Sequence, residues 1–151
     1  MCGITGIARF KNRDECAEKV RIMNDHIAHR GPDAEGIWLH DFCVLGHRRL
    51  SIIDTSAAGN QPFHSEDKNL TVVFNGEIYN YLEIGAELRD RGAVLRTPSD
   101  TEVILEAWRA WGADCLRRFR GMFAFALHDR TDNSVVLVRD PFGKKPVFYA
   151  T

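Results

Sequence analysis

Two runs in this chain, Met122-Phe123-Ala124-Phe125-Ala126-Leu127 and Val135-Val136-Leu137-Val138, are apolar on both of their alternating sets of side chains. A strand sends successive side chains to opposite faces of its sheet, so runs of this kind need apolar cover on both sides. One face can meet helices and the other a second sheet. Residues 4–10, 70–74 and 147–149 read as further strands, and residues 36–39 and 42–45 as a hairpin joined at His40-Asp41.

Helical spacing marks three other segments. Cys16, Val20, Met23 and Ile27 bury one stripe of a helix between Asp14 and about Ala28, which Gly31-Pro32 ends. Tyr81, Ile84 and Leu88 mark a second helix, ended near Gly92, and Ile104, Ala107, Trp108 and Trp111 a third. Ser99-Asp100-Thr101-Glu102 has the form of a capping box for the third helix. A loop over residues 54–65 precedes the strand at 70–74. No linker or repeat divides the 151 residues, so one domain over residues 1–151 is expected.

Charge and cysteine usage exclude several functions. With 20 Lys+Arg against 21 Asp+Glu, the net charge of -1 argues against a general binder of nucleic acid. The longest uncharged apolar stretch is far shorter than the ~18 residues of a membrane span. The first residues carry no cationic start of a secretory signal, so a cytoplasmic protein without membrane or nucleic-acid partners is expected. Cys2, Cys16, Cys43 and Cys115 form no C-x-x-C pair and read as reduced thiols. His26-x-x-His29 and Cys43-x-x-x-His47 supply no compact set of four ligands, so no metal is expected. Arg120 to Phe125 fits an RNA-recognition strand poorly, because Met122 stands at its first aromatic position. Gly143-Lys144-Lys145 lacks the frame of a phosphate-binding loop.

Four places remain where chemistry can sit. Cys2 would carry a thiol and a free α-amine once Met1 is removed, which puts nucleophile and base on one residue. Arg48-Arg49, after an apolar strand, can grip a carboxylate or simply face solvent. Asn75-Gly76 reads locally as a hairpin turn, yet Glu77-Ile78-Tyr79-Asn80 leads into a helix. An Asn amide and a Gly N–H at a strand end can instead form an oxyanion hole. Asp100 can complement the start of the third helix, receive a substrate ammonium, or do both.

In chain order, Met1-Cys2-Gly3-Ile4-Thr5-Gly6, His29-Arg30-Gly31-Pro32-Asp33, Arg49-Leu50-Ser51-Ile52-Ile53-Asp54, Gln61-Pro62, Asn75-Gly76-Glu77-Ile78-Tyr79-Asn80, Ser99-Asp100-Thr101-Glu102, Gly121-Met122-Phe123-Ala124-Phe125 and Arg139-Asp140-Pro141-Phe142-Gly143 resemble the glutaminase domain of glutamine-dependent asparagine synthetases, a class II glutamine amidotransferase. The resemblance runs from end to end. It implies an α+β fold, the four-layer α/β/β/α sandwich of N-terminal-nucleophile hydrolases, incomplete at its C-terminal end. It also implies roles. Cys2 would attack the side-chain amide of glutamine, and its α-amine would relay the proton to departing ammonia. Asn75 and Gly76 would hold the oxyanion. Arg49 would bind the α-carboxylate with backbone groups around Leu50, Ser51, Ile52 and Ile53. Asp100, with Glu77 beside it, would receive the α-ammonium. Arg30 and Asp33 would order loops.

Members of that family continue with further glutaminase strands and an ATP-binding synthetase domain, absent from residues 1–151. The glutaminase step is expected to need no cofactor, and ATP and Mg to be used only by that synthetase domain, the natural partner; a homodimer is also compatible. Two other readings stand beside this one: a non-catalytic fragment or assembly subunit completed by another polypeptide, and a glutaminase serving an acceptor other than aspartate. The strand at 147–149, without its successors, is expected to expose an adhesive sheet edge.

Overall fold

The structure, a computed structural model, describes residues 1–52 and 55–151. In chain order it comprises β1 (Gly3–Ala8), α1 (Arg13–His26), β2 (Ala34–Leu39), β3 (Cys43–Arg49), β4 (Phe63–His64), β5 (Leu70–Ile78), α2 (Tyr81–Asp90), α3 (Asp100–Trp111), β6 (Gly121–Asp129) and β7 (Ser134–Arg139), with short 3-10 turns between. The strands form two antiparallel sheets, one ordered β1-β3-β2 and the other β4-β5-β6-β7.

Period-two burial builds the layers. Val44 packs with Cys16 and Val20 of α1, whereas its neighbours Cys43 and Leu45 pack with Val73 and Ala126 of the other sheet. Val72 and Phe74, flanking Val73, turn the other way and join Phe123, Phe125 and Leu127 against Ile84, Leu88 and Ile104 of α2 and α3. The result is a sandwich of α1, sheet, sheet, and α2 with α3, the α/β/β/α order expected. Each fully buried Val, Leu or Phe contributes about 1.5–3 kcal/mol through the area it removes from water. Among the described residues no helix is long and apolar enough to cross a membrane.

Four local expectations need correction. The strand does not end at Phe74: β5 runs on to Ile78, so Asn75 and Gly76 stand within it rather than at its end or in a turn, with Asn75 opposite Ala124 and Gly76 opposite Phe123. Ser99 caps α3 by accepting from Thr101 N at 3.1 Å, but Glu102 does not close a capping box. Its carboxylate reaches instead to Thr97 N and Arg96 Nε, tying down the segment that leads into the helix. The strand at 135–138 is covered less than its apolar run suggests, because β7 lies at a sheet edge and Leu137 is exposed. Val147 to Tyr149 join neither sheet, and Phe148 and Tyr149 are exposed. With no strand there, β7 is itself an edge of its sheet, and among the described residues its outer side has no sheet neighbour.

Candidate active site

Antiparallel pairing of β1 with β3 sets Gly3 against Arg48, so Cys2, one step earlier, meets the end of β3 at Arg49 and Leu50. The Cys2 sulfur lies 3.4 Å from the Leu50 N–H that donates to it and 3.5 Å from the Leu50 carbonyl. Arg30 Nε donates to the Cys2 carbonyl at 3.1 Å, fixing the chain on the other side of the thiol. Asp33 accepts from Ser51 N at 2.7 Å and so holds the segment that follows Arg49. Gly31 lets these strands approach, since a Cβ there would sit 2.3 Å from the Arg48 carbonyl carbon. Arg30 and Asp33, given only loop-ordering parts by the sequence, thus brace the thiol and the loop beside it.

Beside Cys2 opens a cleft of about 100 Å³, lined by Arg49, Leu50, Ile52, Asn75, Gly76, Glu77 and Asp100. Ser51 does not line it; its N–H is turned to Asp33. Ile53 lies outside the described residues. Arg49 is 6% exposed, with Nη1 donating to Ser56 O and Asn60 Oδ1, each at 2.7 Å. These contacts orient the guanidinium before any ligand arrives.

The edge of β5 explains the pairing of Asn75 with Gly76. Phe74 N donates to Gln61 Oε1 at 2.6 Å and Ile78 N to Asp100 Oδ2 at 3.0 Å, both away from β6. Strand hydrogen bonds alternate sides residue by residue, so the N–H of Gly76, midway between these two, points to that same edge. There it faces the cleft. The Asn75 side chain shares the face of Val73, the side of the opposing sheet and of Cys2. Glycine is required at 76, because a Cβ would lie 2.1 Å from the Met122 carbonyl oxygen. The arrangement presents one amide side chain and one backbone N–H beside a thiol, the donor set of an oxyanion hole.

Asp100 supplies the opposite sign. Burial pushes its carboxyl up to about 6, and the neighbouring Glu77 adds to the rise while the Ile78 N–H opposes it. A carboxylate held so is stabilised by any cation that enters the cleft. Because the folded chain holds this proton more tightly than the unfolded chain, stability should fall as pH rises from about 4 to about 6, and the loss stays in force above that. Asp100→Asn keeps an oxygen for the Ile78 N–H and removes the charge. It is expected to stabilise the ligand-free chain at pH 7 by up to about 3 kcal/mol, and by little at pH 4. Urea midpoints at the two pH values measure this; an equal or lower midpoint at pH 7 would mean that the carboxylate is already compensated.

Three contributors to the cleft escape sequence reasoning. Gln61 bridges the β5 edge and α3, its amide also reaching Thr101 Oγ1 at 3.4 Å. Asp140 accepts the backbone N–H groups of Phe123, Phe142, Lys144 and Lys145, and this folds the loop that carries Lys145 into the cleft wall. Lys145 is buried, with its ammonium 3.1 Å from Met1 Sδ. Gln61 and Asp140 stand within words quoted above, but only the fold shows what they hold.

A family model described as a glutamine amidotransferase domain matches residues 1–151. Asparagine synthetase [glutamine-hydrolyzing] 1 of Bacillus subtilis is 41% identical, with 100% of this chain and 24% of that protein covered. A putative asparagine synthetase [glutamine-hydrolyzing] of Mycobacterium tuberculosis is 47% identical over 100% of this chain and 26% of its own length. The solved glutamine phosphoribosylpyrophosphate amidotransferase of Bacillus subtilis superposes with a TM-score of 0.70 at 22% identity, covering 94% of this chain and 37% of that one. It shares the N-terminal-nucleophile sandwich. The chain spans about a quarter of the length of the synthetases it matches.

Proposed function

This chain belongs to the glutamine amidotransferase domain family, and from that membership we propose that it hydrolyses glutamine to glutamate and ammonia, with Cys2 as nucleophile after Met1 is removed. The observation that carries the reading is the convergence on one cleft of a thiol, the Asn75 side-chain amide, the Gly76 N–H, a buried guanidinium and a buried carboxylate.

The chemistry follows from these groups. The Cys2 α-amine takes the thiol proton as sulfur bonds to the side-chain amide carbon. Charge that develops on the amide oxygen is met by the Asn75 side chain and the Gly76 N–H. The amine passes its proton to the departing nitrogen, the C–N bond breaks, and ammonia leaves a thioester. Water, activated by the same amine, then releases glutamate and restores the thiol. Arg49 and the backbone at Ile52 bind the α-carboxylate. Asp100 and Glu77 bind the α-ammonium, so glutamine affinity should weaken as pH falls through about 6.

The relatives' names extend the proposal to the fate of the ammonia. It supplies an ATP-dependent amidation of the asparagine-synthetase type in a synthetase domain, normally in the same polypeptide. ATP and Mg enter with that domain, and none of the steps above draws on them.

Glutamate release from glutamine without ATP, followed in a coupled assay on protein whose intact mass shows Met1 removed, tests the reading. Arg49→Ala is expected to raise KM by about 10- to 100-fold with kcat little changed, because a charged hydrogen-bonded contact is worth about 1.5–3 kcal/mol and serves ground and transition state alike. An unchanged KM would remove Arg49 from the binding site.

A further inference from the structure

We infer that His40, Cys43 and His128 form a metal site between the two sheets, for an ion that accepts one thiolate and two imidazoles, with Zn2+ as its representative. One ligand atom from each residue lies within 4.8 Å of the other two. Tetrahedral zinc, with nitrogen at about 2.0–2.1 Å and sulfur at about 2.3 Å, separates its ligands by roughly 3.3–3.8 Å. At most about 1–1.5 Å of closure is therefore needed. His40 can supply it, since it lies in the turn between β2 and β3 and is only half-buried.

Sequence spacing conceals this set. It pairs Cys43 with His47, whose Nε2 lies instead 3.0 Å from Phe74 O, whereas the fold brings in His128 from the other sheet. Cys43 packs in the intersheet cluster with Ala126, and His128 follows Ala126 by one period of the strand and shares its face. Cys43 opens β3 and Arg49 ends it, so the site lies roughly 20 Å along the strand from the cleft. An ion there would pin one sheet to the other at the end away from Cys2.

The surroundings suit a ligand set. His128 Nε2 stands 3.3 Å from Asn133 Oδ1, an acceptor that keeps the proton on Nε2 and leaves the Nδ1 lone pair for an ion. Trp38 stacks on His40 at 5.2 Å and meets His128 at 5.3 Å, so one indole packs against both imidazoles. The Phe42 N–H donates to His40 Nδ1 at 3.2 Å, a local contact that ligation through that nitrogen would exchange for the ion. One thiolate and two imidazoles, with no carboxylate among them, favour zinc-like ions over calcium or magnesium. The Cys43 thiol releases its proton to solvent as the sulfur–metal bond forms, and water completes the fourth position.

The test is calorimetric titration of Zn2+ into the Cys2→Ala chain, which lacks the cleft thiol, with parallel Co2+ absorption spectra. One ion per chain, a thiolate-to-cobalt charge-transfer band and a Zn2+-dependent rise in Tm are expected. In the same background Cys43→Ser should abolish the charge-transfer band, and His128→Gln should weaken Zn2+ binding by about 10- to 100-fold or more. Circular dichroism reports whether either variant has folded, and His40→Gln, in the half-buried turn, takes their place if they have not: it should weaken Zn2+ binding likewise, and unchanged binding overturns the site. No saturable Zn2+ binding by that chain, or Co2+ bands without thiolate character, overturns the site; so does binding unchanged by a folded Cys43→Ser.

Discussion

Cys2→Ala is expected to abolish glutamate release, lowering turnover by at least about 10³-fold, and a chain that keeps Met1 should be as inactive. The two variants fail for different reasons. Alanine removes the sulfur that the Leu50 N–H and carbonyl hold at 3.4 and 3.5 Å, leaving Arg30 on the Cys2 carbonyl and the fold in place. Retained Met1 leaves the sulfur but turns the α-amine into an amide nitrogen, which has no basic lone pair to take the thiol proton. It also keeps the Met1 side chain in the cleft, with its sulfur against Lys145. Intact mass separates processed from unprocessed protein, and a coupled glutamate assay reads the rate. Undiminished release from Cys2→Ala would show that another group attacks the amide, whereas full activity with Met1 in place would leave the thiol and reject the amine as base.

What the sequence disclosed about this fold came from periodicity, and periodicity is local. The double apolar pattern of residues 122–127 required cover on both faces, and β6 is buried by α2 and α3 on one side and by the opposing sheet on the other. The failures came where a distant partner decides the outcome. Asn75-Gly76 is a good turn sequence, but side chains from elsewhere satisfy the β5 edge on either side of it, Gln61 at Phe74 and Asp100 at Ile78. With those partners the strand continues through the glycine. Val147 to Tyr149 have strand composition and no strand, because composition cannot supply a neighbouring ladder.

The candidate site divides along the same line. Cys2, Arg49, Asn75, Gly76, Glu77 and Asp100 were legible through words whose residue types suit the chemistry, and all six line the cleft. The residues that aim them were legible only as parts of those words. Asp140 acts through four backbone N–H groups, three of them in the turn it begins. Lys145 approaches Met1 across nearly the whole chain. Ser51 shows the converse: it belongs to the Arg49-Leu50-Ser51 word, yet its N–H is used by Asp33 and it stays out of the cleft wall.

Asn75→Ala is expected to lower kcat by about 10²–10³-fold with KM little changed, the signature of a donor used mainly in the transition state. In the ground state the amide oxygen of glutamine is neutral and needs no special donor. When sulfur adds, that oxygen gains negative charge beside the Asn75 side chain, which is buried, and the Gly76 N–H, so the missing donor is felt there. The fold has small reason to respond, because the strand bonds of Asn75 to β6 are backbone bonds and survive the truncation. Thermal unfolding of the variant should therefore stay close to that of the parent while turnover falls. Gly76→Ala provides the contrast: its Cβ would press on the Met122 carbonyl oxygen at 2.1 Å, so that variant should lose stability along with activity. If Asn75→Ala lowered Tm and left kcat intact, the residue would be a strand-packing amide and the oxyanion would need its second donor from elsewhere in the cleft.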